Sequence, residues 1–412
     1  MLEQVDVGAV DFGAYEPYTD RELAQEVRSL ANRLKGRRIA HINATPFGGG
    51  VSELLRSIVP IYCGLGIDAE WLLISGAPEF FTITKSFHNA LQGARIDLTS
   101  SARETYLNYN RLNAQQIEDD YDVIVVHDPQ PLAMRRFREN GRAKWVWRCH
   151  IDTSSPHEEH LLFLLEYISE YDAIVFTMRE FVPPIVEHPR LEIITPAIDP
   201  VSPKNMTLPE DMSQTILLWL GVNPRRPLLT QVSRFDPWKD PMGVVEAFNL
   251  IRKEMPGLQL ALLGSMALDD PQGWDLHKQV TEATKGDPDI HVRTNLVGVG
   301  DVEVNAFQRL STVILQKSIR EGFGLVISES LWKGTPVVAN RAGGIPLQME
   351  GGAGGYLVDS TDEMVERVLH LLSAPEERKT LGRSGQEHVR KHFLTPRLIR
   401  DEMRLLASLL DV

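Results

Sequence analysis

Short runs of consecutive apolar residues alternate, along almost the whole chain, with longer segments whose apolar residues recur at helical spacing. Such runs predict strands that are buried on both faces, and strands alternating with helices predict parallel sheets. In the first half, strands are predicted at residues 38–43, 70–74, 122–127, 144–150, 173–176 and 191–198. In the second half, they are predicted at residues 228–233, 258–264, 290–292, 312–315, 335–339 and 355–358. The pattern therefore predicts an α/β protein built from two similar halves.

A proline-containing segment at residues 201–212, with Pro203 and Pro209, separates the two halves and is the predicted interdomain linker. The residues before 36 are expected to extend the first domain. The first domain is expected at residues 1–205 and the second at residues 213–392. A charged N-terminal helix is expected at residues 20–34, and an amphipathic C-terminal helix at residues 395–410.

Composition narrows the class of protein. The 412 residues are 43% hydrophobic and 24% charged, which is typical of a globular enzyme. The net charge of −13 disfavours a nucleic-acid partner. The chain has no apolar run long enough to cross a membrane, and its acidic N-terminus does not resemble a signal peptide. Cys63 and Cys149 fit reduced core residues better than a disulfide or a metal site, so we expect a cytoplasmic protein.

The most informative stretch runs from Glu321 to Glu329 and carries a carboxylate at each end. Gly322 and Gly324 precede an apolar run that predicts the first turns of a helix, with Glu329 about two turns into it. A helix start offers unpaired N–H groups and a partial positive charge to a phosphate, and glycine allows a close approach. Carboxylates accept hydrogen bonds from sugar hydroxyls. A phosphate flanked by two polyols is a nucleotide sugar, which is the predicted ligand.

The Glu-x7-Glu spacing around Gly-Phe-Gly-Leu resembles the signature of retaining glycosyltransferases of the GT-B fold. The resemblance covers nearly the whole chain, and it implies an α/β architecture of two Rossmann-like, doubly wound domains that face a cleft. It also implies that the terminal helix, at about residues 393–412, crosses back to the first domain. It implies that Glu321 is a catalytic residue that binds hydroxyls of the donor sugar, and that Glu329 binds the ribose. Backbone contacts to the donor would come from Gly322, Phe323, Gly324 and Leu325. The alternative is a tight turn with a solvated glutamate.

Two cations follow the first predicted strand of the second half. Arg234 and Lys239 lie on a loop that Pro237 and Pro241 rigidify. Two cations directed at one point would stabilise a diphosphate leaving group as its charge develops. The pattern is close to the diphosphate-binding pair of the resembled family, which implies catalytic roles for both. The alternative is a pair of solvated surface charges.

Several glycine loops follow predicted strands. The loop at residues 47–51 fits an anion site at a helix start, and the resemblance implies acceptor contact at Gly48 and donor contact at Gly49 and Gly50. Gly298 is a candidate for lining the nucleotide-base pocket. Lys317, Ser318 and the loop at residues 340–346 are further candidates near the nucleotide. A plain turn is the alternative for each loop.

His150 ends a predicted strand and, by the resemblance, would face the anomeric region and the donor phosphate. His127, at the end of the preceding strand, is its competitor, and a structural hydrogen-bonding role is the alternative for both. Asp152 is a candidate for orienting acceptor hydroxyls. The polar cluster at residues 157–160 is interpreted as the solvated start of a helix and not as a metal site.

Within the class, residues 127–131 and 147–152 resemble the archaeal trehalose-forming synthases. That resemblance implies reversible transfer of glucose from ADP-, UDP- or GDP-glucose to free glucose, giving trehalose and the nucleoside diphosphate with retention of configuration. No cofactor is required; Mg²⁺ can accompany the nucleotide, without assigned protein ligands. A homodimer is left open. The alternatives are a trehalose phosphorylase that uses inorganic phosphate, a sugar-nucleotide epimerase of the same fold, and a non-catalytic carbohydrate-binding protein.

Overall fold

A computed structural model describes residues 2–47, 49–138, 141–266 and 271–412 and divides the chain into two compact units. The first unit comprises Met1–Ala197 and Thr395–Val412, and the second comprises Ile198–Leu394. The C-terminal segment therefore belongs to the first unit.

The strands of the described residues fall into two sheets, one in each unit. In the first unit they are β1 (Glu3–Gln4), β2 (Arg38–Asn43), β3 (Asp68–Leu73), β4 (Val123–His127), β5 (Lys144–Cys149), β6 (Ala173–Phe176) and β7 (Leu191–Ile193). In the second unit they are β8 (Leu228–Val232), β9 (Gln259–Gly264), β10 (Ile290–Thr294), β11 (Val313–Gln316), β12 (Val337–Asn340) and β13 (Gly355–Val358).

Helices connect most of these strands. Those of the first unit are α1 (Arg21–Leu34), α2 (Gly50–Gly64), α3 (Pro78–Leu91), α4 (Ser100–Ala114) and α5 (Glu158–Ile168). The second unit has α6 (Glu210–Trp219), α7 (Pro241–Glu254), α8 (Pro271–Ala283), α9 (Asp301–Leu310), α10 (Leu325–Trp332), α11 (Ile345–Gln348), α12 (Thr361–Ser373) and α13 (Pro375–His392). The chain then returns to the first unit as α14 (Thr395–Leu409). Among the described residues, none of these helices combines the length and apolarity that crossing a bilayer requires.

The first sheet has the order β1-β3-β2-β4-β5-β6-β7, and every pairing except that of β1 with β3 is parallel. All five residues of β4 are buried, as expected for a central strand covered on both faces. The predicted N-terminal extension is part of this unit, because β1 adds an antiparallel edge strand and α1 packs beside α14. The Arg404 guanidinium of α14 donates to Glu26 of α1 at 2.6 Å.

The second sheet has the order β10-β9-β8-β11-β12-β13 and is entirely parallel. Neighbouring residues of one strand enter different hydrophobic clusters: Leu229 and Leu260 lie in one, and Leu228 and Ala261 lie in the other. Because adjacent side chains of a strand point to opposite faces, both faces of the sheet are covered. The apolar runs predicted such a parallel sheet buried on both faces, and the doubly wound arrangement is the one that the resemblance implied.

Most strands lie within two residues of their predicted bounds, and two segments differ by more. Strand β7 ends at Ile193 and not at residue 198. The predicted linker at residues 201–212 lies inside the second unit. Asn305 of α9 donates to the carbonyls of Pro203 and Met206, both at 2.9 Å. The prolines therefore mark a segment that is hydrogen-bonded to its own unit, and the chain changes unit just upstream of it.

Candidate active site

The carboxylate pair at Glu321 and Glu329 flanks the start of α10 in the second unit. Gly324 is the N-cap residue, with φ of +79° and ψ of 60°, and the helix begins at Leu325. Glycine adopts this left-handed backbone with little strain. Glu329 is the fifth residue of the helix, so it lies about one turn into α10 and not two. The predicted helix start is present, with one carboxylate before it and the other within it.

Glu321 lies at the centre of a hydrogen-bonded cluster. Its Oε2 atom is 2.6 Å from the Nζ atom of Lys239 and also accepts from Ser318 at 3.2 Å and Gln316 at 3.4 Å. The side chains of Lys239 and Glu321 are 16% and 11% exposed, so their mutual attraction is screened little by water. The structure thus brings together two of the predicted catalytic residues.

Hydrogen bonds and an ion pair fix the loop that carries Lys239. Gln231 of β8 donates to the Lys239 carbonyl oxygen at 2.7 Å. Asp240 has φ of +43°, and its carboxylate accepts from the Gly243 N–H at 3.0 Å, which caps α7. Lys317 forms an ion pair with the same carboxylate. A Cβ at residue 243 would overlap this pair, which explains the glycine.

Among the described residues, Arg234 is not hydrogen-bonded or ion-paired to this cluster. Its side chain is 57% exposed and pairs with Asp236 at 3.3 Å. An exposed pair of this kind holds its geometry weakly. The expectation that Arg234 and Lys239 converge on one diphosphate therefore stays a prediction.

A second loop packs directly against the backbone of the carboxylate motif. The Gly344 N–H donates to the Gly322 carbonyl at 2.7 Å, and a Cβ at Gly343 would overlap the carbonyl oxygens of Glu321 and Gly322. Gln348 donates to the Phe323 carbonyl at 2.5 Å. The loop at residues 340–346 thus fixes the backbone of Gly322 and Phe323. Sequence reasoning missed Gln348, because a lone glutamine in a short helix carries no signal of such a role.

Glu329 is almost fully enclosed. Its Oε2 atom accepts from Gln308 at 3.1 Å, and its Oε1 atom lies 3.8 Å from the ammonium of Lys204. Lys333, one turn further along α10, donates to the Glu329 carbonyl at 3.1 Å. Burial lowers the pKa of the Lys333 ammonium to about 7, and the charge of Glu329 opposes that shift. Sequence reasoning missed Gln308 and Lys204, which come from distant segments.

Gly298 ends a turn of 3-10 helix after β10, with φ of +86°. A Cβ there would approach the exposed ring of Trp219 to 3.2 Å. The structure therefore gives a conformational reason for this glycine, and its role in a base pocket stays a prediction.

In the first unit, three histidines form a chain of hydrogen bonds. His41 Nδ1 is 3.2 Å from His127 Nε2, and His127 Nδ1 is 2.9 Å from His150 Nε2. His41 and His127 are buried inside the sheet, whereas His150 follows β5 and is partly exposed. The two histidines that competed for one role in the sequence analysis are therefore hydrogen-bonded partners. Sequence reasoning did not identify His41.

Burial lowers the pKa of His41 to about 3 and those of His127 and His150 well below their usual value. For His41 and His150, the positive charge of Arg148 adds to the effect of burial. For His127, the neighbouring histidines add to it first, and Arg148 adds less. All three imidazoles are thus held neutral at pH 7. Burial also raises the pKa of Asp128 to about 7, although its carboxylate accepts from the His150 N–H at 2.8 Å.

The other predicted residues of the first unit are less constrained. Asp152 accepts from the Ser154 N–H at 3.0 Å in a local turn. Gly49 is the N-cap residue of α2, with φ of +135°, and Gly50 is the first residue of that helix. Gly48 lies outside the described residues. The acceptor and donor roles assigned to these four residues stay predictions.

The polar cluster at residues 157–160 does begin a helix, since His157 is the N-cap residue of α5. His160 is buried, however, with its ring centroid 5.3 Å from that of Phe87, so the cluster is not fully solvated as expected. In the part of the chain that the structure describes, no three His, Cys, Asp or Glu side chains are grouped to hold a metal ion.

Two known families match consecutive parts of the chain. Residues 41–183 match the family described as "Trehalose synthase, N-terminal domain", and residues 220–388 match "Glycosyl transferases group 1". The chain is 51% identical to a trehalose synthase of Rubrobacter xylanophilus over the full length of both proteins. The chain belongs to the trehalose synthase family. A trehalose synthase of Pyrococcus horikoshii is 45% identical over 96% of this chain and 95% of its own length. The predicted membership of a glycosyltransferase family is confirmed.

Comparison of structures confirms the predicted fold class. A UDP-forming trehalose-phosphate synthase from Burkholderia xenovorans, solved in complex with glucose-6-phosphate, superposes with a TM-score of 0.70. It covers 90% of this chain and 100% of its own length at 17% identity. The chain therefore has the GT-B fold. Its family matches show that it is a glycosyltransferase.

A trehalose phosphorylase of Pleurotus pulmonarius is a more distant relative. It is 29% identical over 82% of this chain but over only 52% of its own length. The chain spans about half of that protein.

Proposed function

We propose that this enzyme transfers glucose reversibly from a nucleoside diphosphate glucose to free glucose, with retention of configuration, to give trehalose and the nucleoside diphosphate. The observation that carries the proposal is the 2.6 Å pair of Lys239 with Glu321, directly before the start of α10. This pair places a cation and a carboxylate beside backbone N–H groups, as a sugar linked to a diphosphate requires.

The chemistry assigned to each group follows from its charge. Negative charge develops on the diphosphate as the glycosidic oxygen leaves, and Lys239 would stabilise it in a site with little water. Glu321 accepts hydrogen bonds from Lys239, Ser318 and Gln316, so we assign it to accept hydrogen bonds from sugar hydroxyls. The departing phosphate oxygen would take the proton of the attacking hydroxyl. We propose that Arg234 joins Lys239 when a diphosphate binds.

Glu329 is proposed to hold the ribose. Its Oε1 atom lies 3.8 Å from the ammonium of Lys204, a long contact, whereas Oε2 accepts a hydrogen bond from Gln308 at 3.1 Å. A ribose hydroxyl could replace the weaker contact without disturbing the stronger one. Gly322, Phe323, Gly324 and Leu325 would contact the donor through their backbone. Gly298 is assigned to the base pocket, and Gly49 and Gly50 to the donor phosphate.

The first unit is proposed to contribute His150 at the reacting centre and Asp152 and Gly48 at the acceptor. The choice of glucose as acceptor is supported by the trehalose synthases that match the whole chain. We propose that the reaction needs no protein-bound metal ion, because the lysine and arginine side chains supply the positive charge. Activity should then survive treatment with a chelator.

A phosphorylase reaction is the second candidate, favoured by the similarity of 29% to a trehalose phosphorylase. A phosphorylase would use inorganic phosphate and would have no need for a ribose-binding carboxylate. The buried position of Glu329 within α10 argues for the nucleotide-dependent reaction.

The decisive experiment incubates the enzyme with glucose and ADP-, UDP- or GDP-glucose and measures trehalose and released nucleoside diphosphate. Parallel reactions contain trehalose with inorganic phosphate or with each nucleoside diphosphate. We expect trehalose and nucleoside diphosphate in equal amounts, and an α,α linkage by NMR. Glucose 1-phosphate formed from trehalose and phosphate alone would instead establish a phosphorylase.

Cellular location and assembly complete the proposal. The described cysteines Cys63 and Cys149 are free thiols, which fits the expected cytoplasmic location. Cell fractionation tests the location, and analytical ultracentrifugation distinguishes a monomer from a homodimer.

A further inference from the structure

The histidine chain of the first unit ends at a buried ion pair. Arg148 of β5 donates to Glu402 Oε2 of α14 at 3.1 Å, and both side chains are buried. The other carboxylate oxygen, Glu402 Oε1, lies 3.9 Å from His41 Nδ1. Among the described residues, Glu402 Oε1 and His41 Nε2 have no hydrogen-bond partner. Burial raises the pKa of Glu402, and the neighbouring Arg148 guanidinium opposes that rise. The Glu402 carboxyl, hydrogen-bonded to Arg148, therefore faces the His41 end of the histidine chain.

Two arrangements of protons satisfy both hydrogen bonds between neutral rings. In the outward arrangement, His41 Nδ1–H donates to His127, and His127 Nδ1–H donates to His150 Nε2. His150 then carries its proton on Nδ1. In the inward arrangement every bond is reversed, and His150 Nδ1 is bare.

The surroundings of His41 favour the outward arrangement. A proton on His41 Nδ1 can be donated to His127 Nε2 at 3.2 Å, and Glu402 Oε1, 3.9 Å from the same nitrogen, is an oxygen that attracts it. In the inward arrangement, the His41 Nδ1 lone pair would face that oxygen, and the N–H at Nε2 would be buried without a partner. A buried unpaired donor loses its hydration without compensation. Tyr62 and Arg148 are the other titratable side chains near His41, and neither is hydrogen-bonded to its ring in the described structure.

The outward arrangement fixes the proton position on His150, at the outer end of the histidine chain. Among the described residues, no hydrogen bond uses the ring nitrogen His150 Nδ1. The backbone N–H of His150 donates to the Asp128 carboxylate at 2.8 Å, which fixes the backbone at this residue. We propose that His41 and His127 are positioning residues that hold His150 as a neutral imidazole with its proton on Nδ1. His150 then presents a donor to an oxygen of the sugar or phosphate. The last step rests on the proposed function, whereas the proton arrangement does not.

NMR of the protein with ¹⁵N-labelled histidine tests the proton arrangement without any substrate. Protonated and bare ring nitrogens give separate signals, and His150→Ala assigns those of residue 150. We expect a proton on His150 Nδ1 in the wild type and a mixture of both tautomers in His127→Phe. A proton held on His150 Nε2 in the wild type, or an unchanged tautomer in His127→Phe, would overturn the proposal.

Kinetics test the functional consequence. We expect His127→Phe to lower kcat by about tenfold, with a smaller change in KM, because one oriented hydrogen bond is lost. His127→Gln should restore at least half of that loss on a logarithmic scale, since an amide both donates and accepts. The control is His160→Phe, which removes another buried histidine of the same unit.

A double variant tests whether the effect of His127→Phe on kcat passes through His150 or comes from disturbed packing. In a His150→Ala background, His127→Phe should lower kcat less than twofold further, because its effect passes through His150. An undiminished loss in that background, or an equal loss in His160→Phe, would overturn the positioning role. If no nucleoside diphosphate glucose supports transfer by the wild type, the proposed function fails, while the NMR result still decides the proton arrangement.

Discussion

The two units share one architecture, but the polar side chains at the ends of their strands are neutral in the first unit and charged in the second. In the first unit, the polar groups at the ends of β4 and β5 are imidazoles that burial keeps neutral. In the second, the groups that follow β8 and β11 are the ions Lys239 and Glu321, paired at 2.6 Å. A neutral donor suits hydroxyl groups, whereas a fixed cation suits a diphosphate. The same fold can therefore provide two different chemistries by changing the side chains at the carboxyl ends of its strands.

The largest effect is expected from the backbone beneath the charged site. Gly343→Ala forces a Cβ against the carbonyls of Glu321 and Gly322 at a φ of +49°. We expect a loss of about 3 kcal/mol or more in stability, from overlap together with strain. Gly257→Ala is the control, since its φ is +86° but no atom lies within 4 Å of the added carbon. Equal melting temperatures for the two variants would contradict the close approach.

Removal of the cation should be the next largest change. We expect Lys239→Ala to lower turnover by at least about tenfold, the scale of one charge-assisted contact. Lys285→Ala is the control, because that lysine forms an exposed pair with Glu282 and is 74% exposed. Steady-state kinetics with a nucleoside diphosphate glucose measures both. A normal rate for Lys239→Ala would remove it from the site.

Glu329→Ala separates nucleotide recognition from sugar recognition. We expect the loss in affinity for the nucleotide sugar to exceed that for trehalose alone by at least about tenfold, the scale of one hydrogen bond to a charged group. Isothermal titration calorimetry with each ligand provides the comparison. Equal losses for both ligands would argue against the ribose role.

The neutral histidines of the first unit should make the stability of the protein depend on pH in the acid range. The pKa of His41 is about 3 in the folded protein, against about 6.5 in an unfolded chain. Between these values the unfolded chain binds more protons, so stability falls as the pH drops, by about 1.4 kcal/mol per pH unit for one such site. Asp128 acts in the opposite sense, because its raised pKa favours the folded state at lower pH.

The variant His41→Phe isolates the contribution of His41 to the pH dependence of stability. We expect its unfolding free energy to depend less steeply on pH than that of the wild type between pH 4.5 and 6.5. Urea unfolding followed by tryptophan fluorescence measures the slope, and the exposed His370→Phe is the control. Parallel slopes for His41→Phe and the wild type would show that His41 is not held neutral.

Local patterns account for most of the fold. Strands β2, β6 and β13 begin and end at the predicted residues, because runs such as Ala173–Phe176 are buried on both faces. The predicted end of β7 failed, since apolar residues continue beyond Ile193 without strand pairing. The predicted linker failed for a related reason: the prolines indicate irregular backbone but not where that backbone packs.

The sequence by itself determined two parallel α/β halves and the motif at residues 321–329, because apolar periodicity and glycine placement act over a few residues. The tertiary structure decided which side chains meet. It joined His41 to His127 across 86 positions and Arg148 to Glu402 across 254. It also gave Arg234 and Lys239, which are only five residues apart, different partners, Asp236 and Glu321. Pairing between strands and the return of α14 create these contacts, and no local pattern encodes a partner so far along the chain.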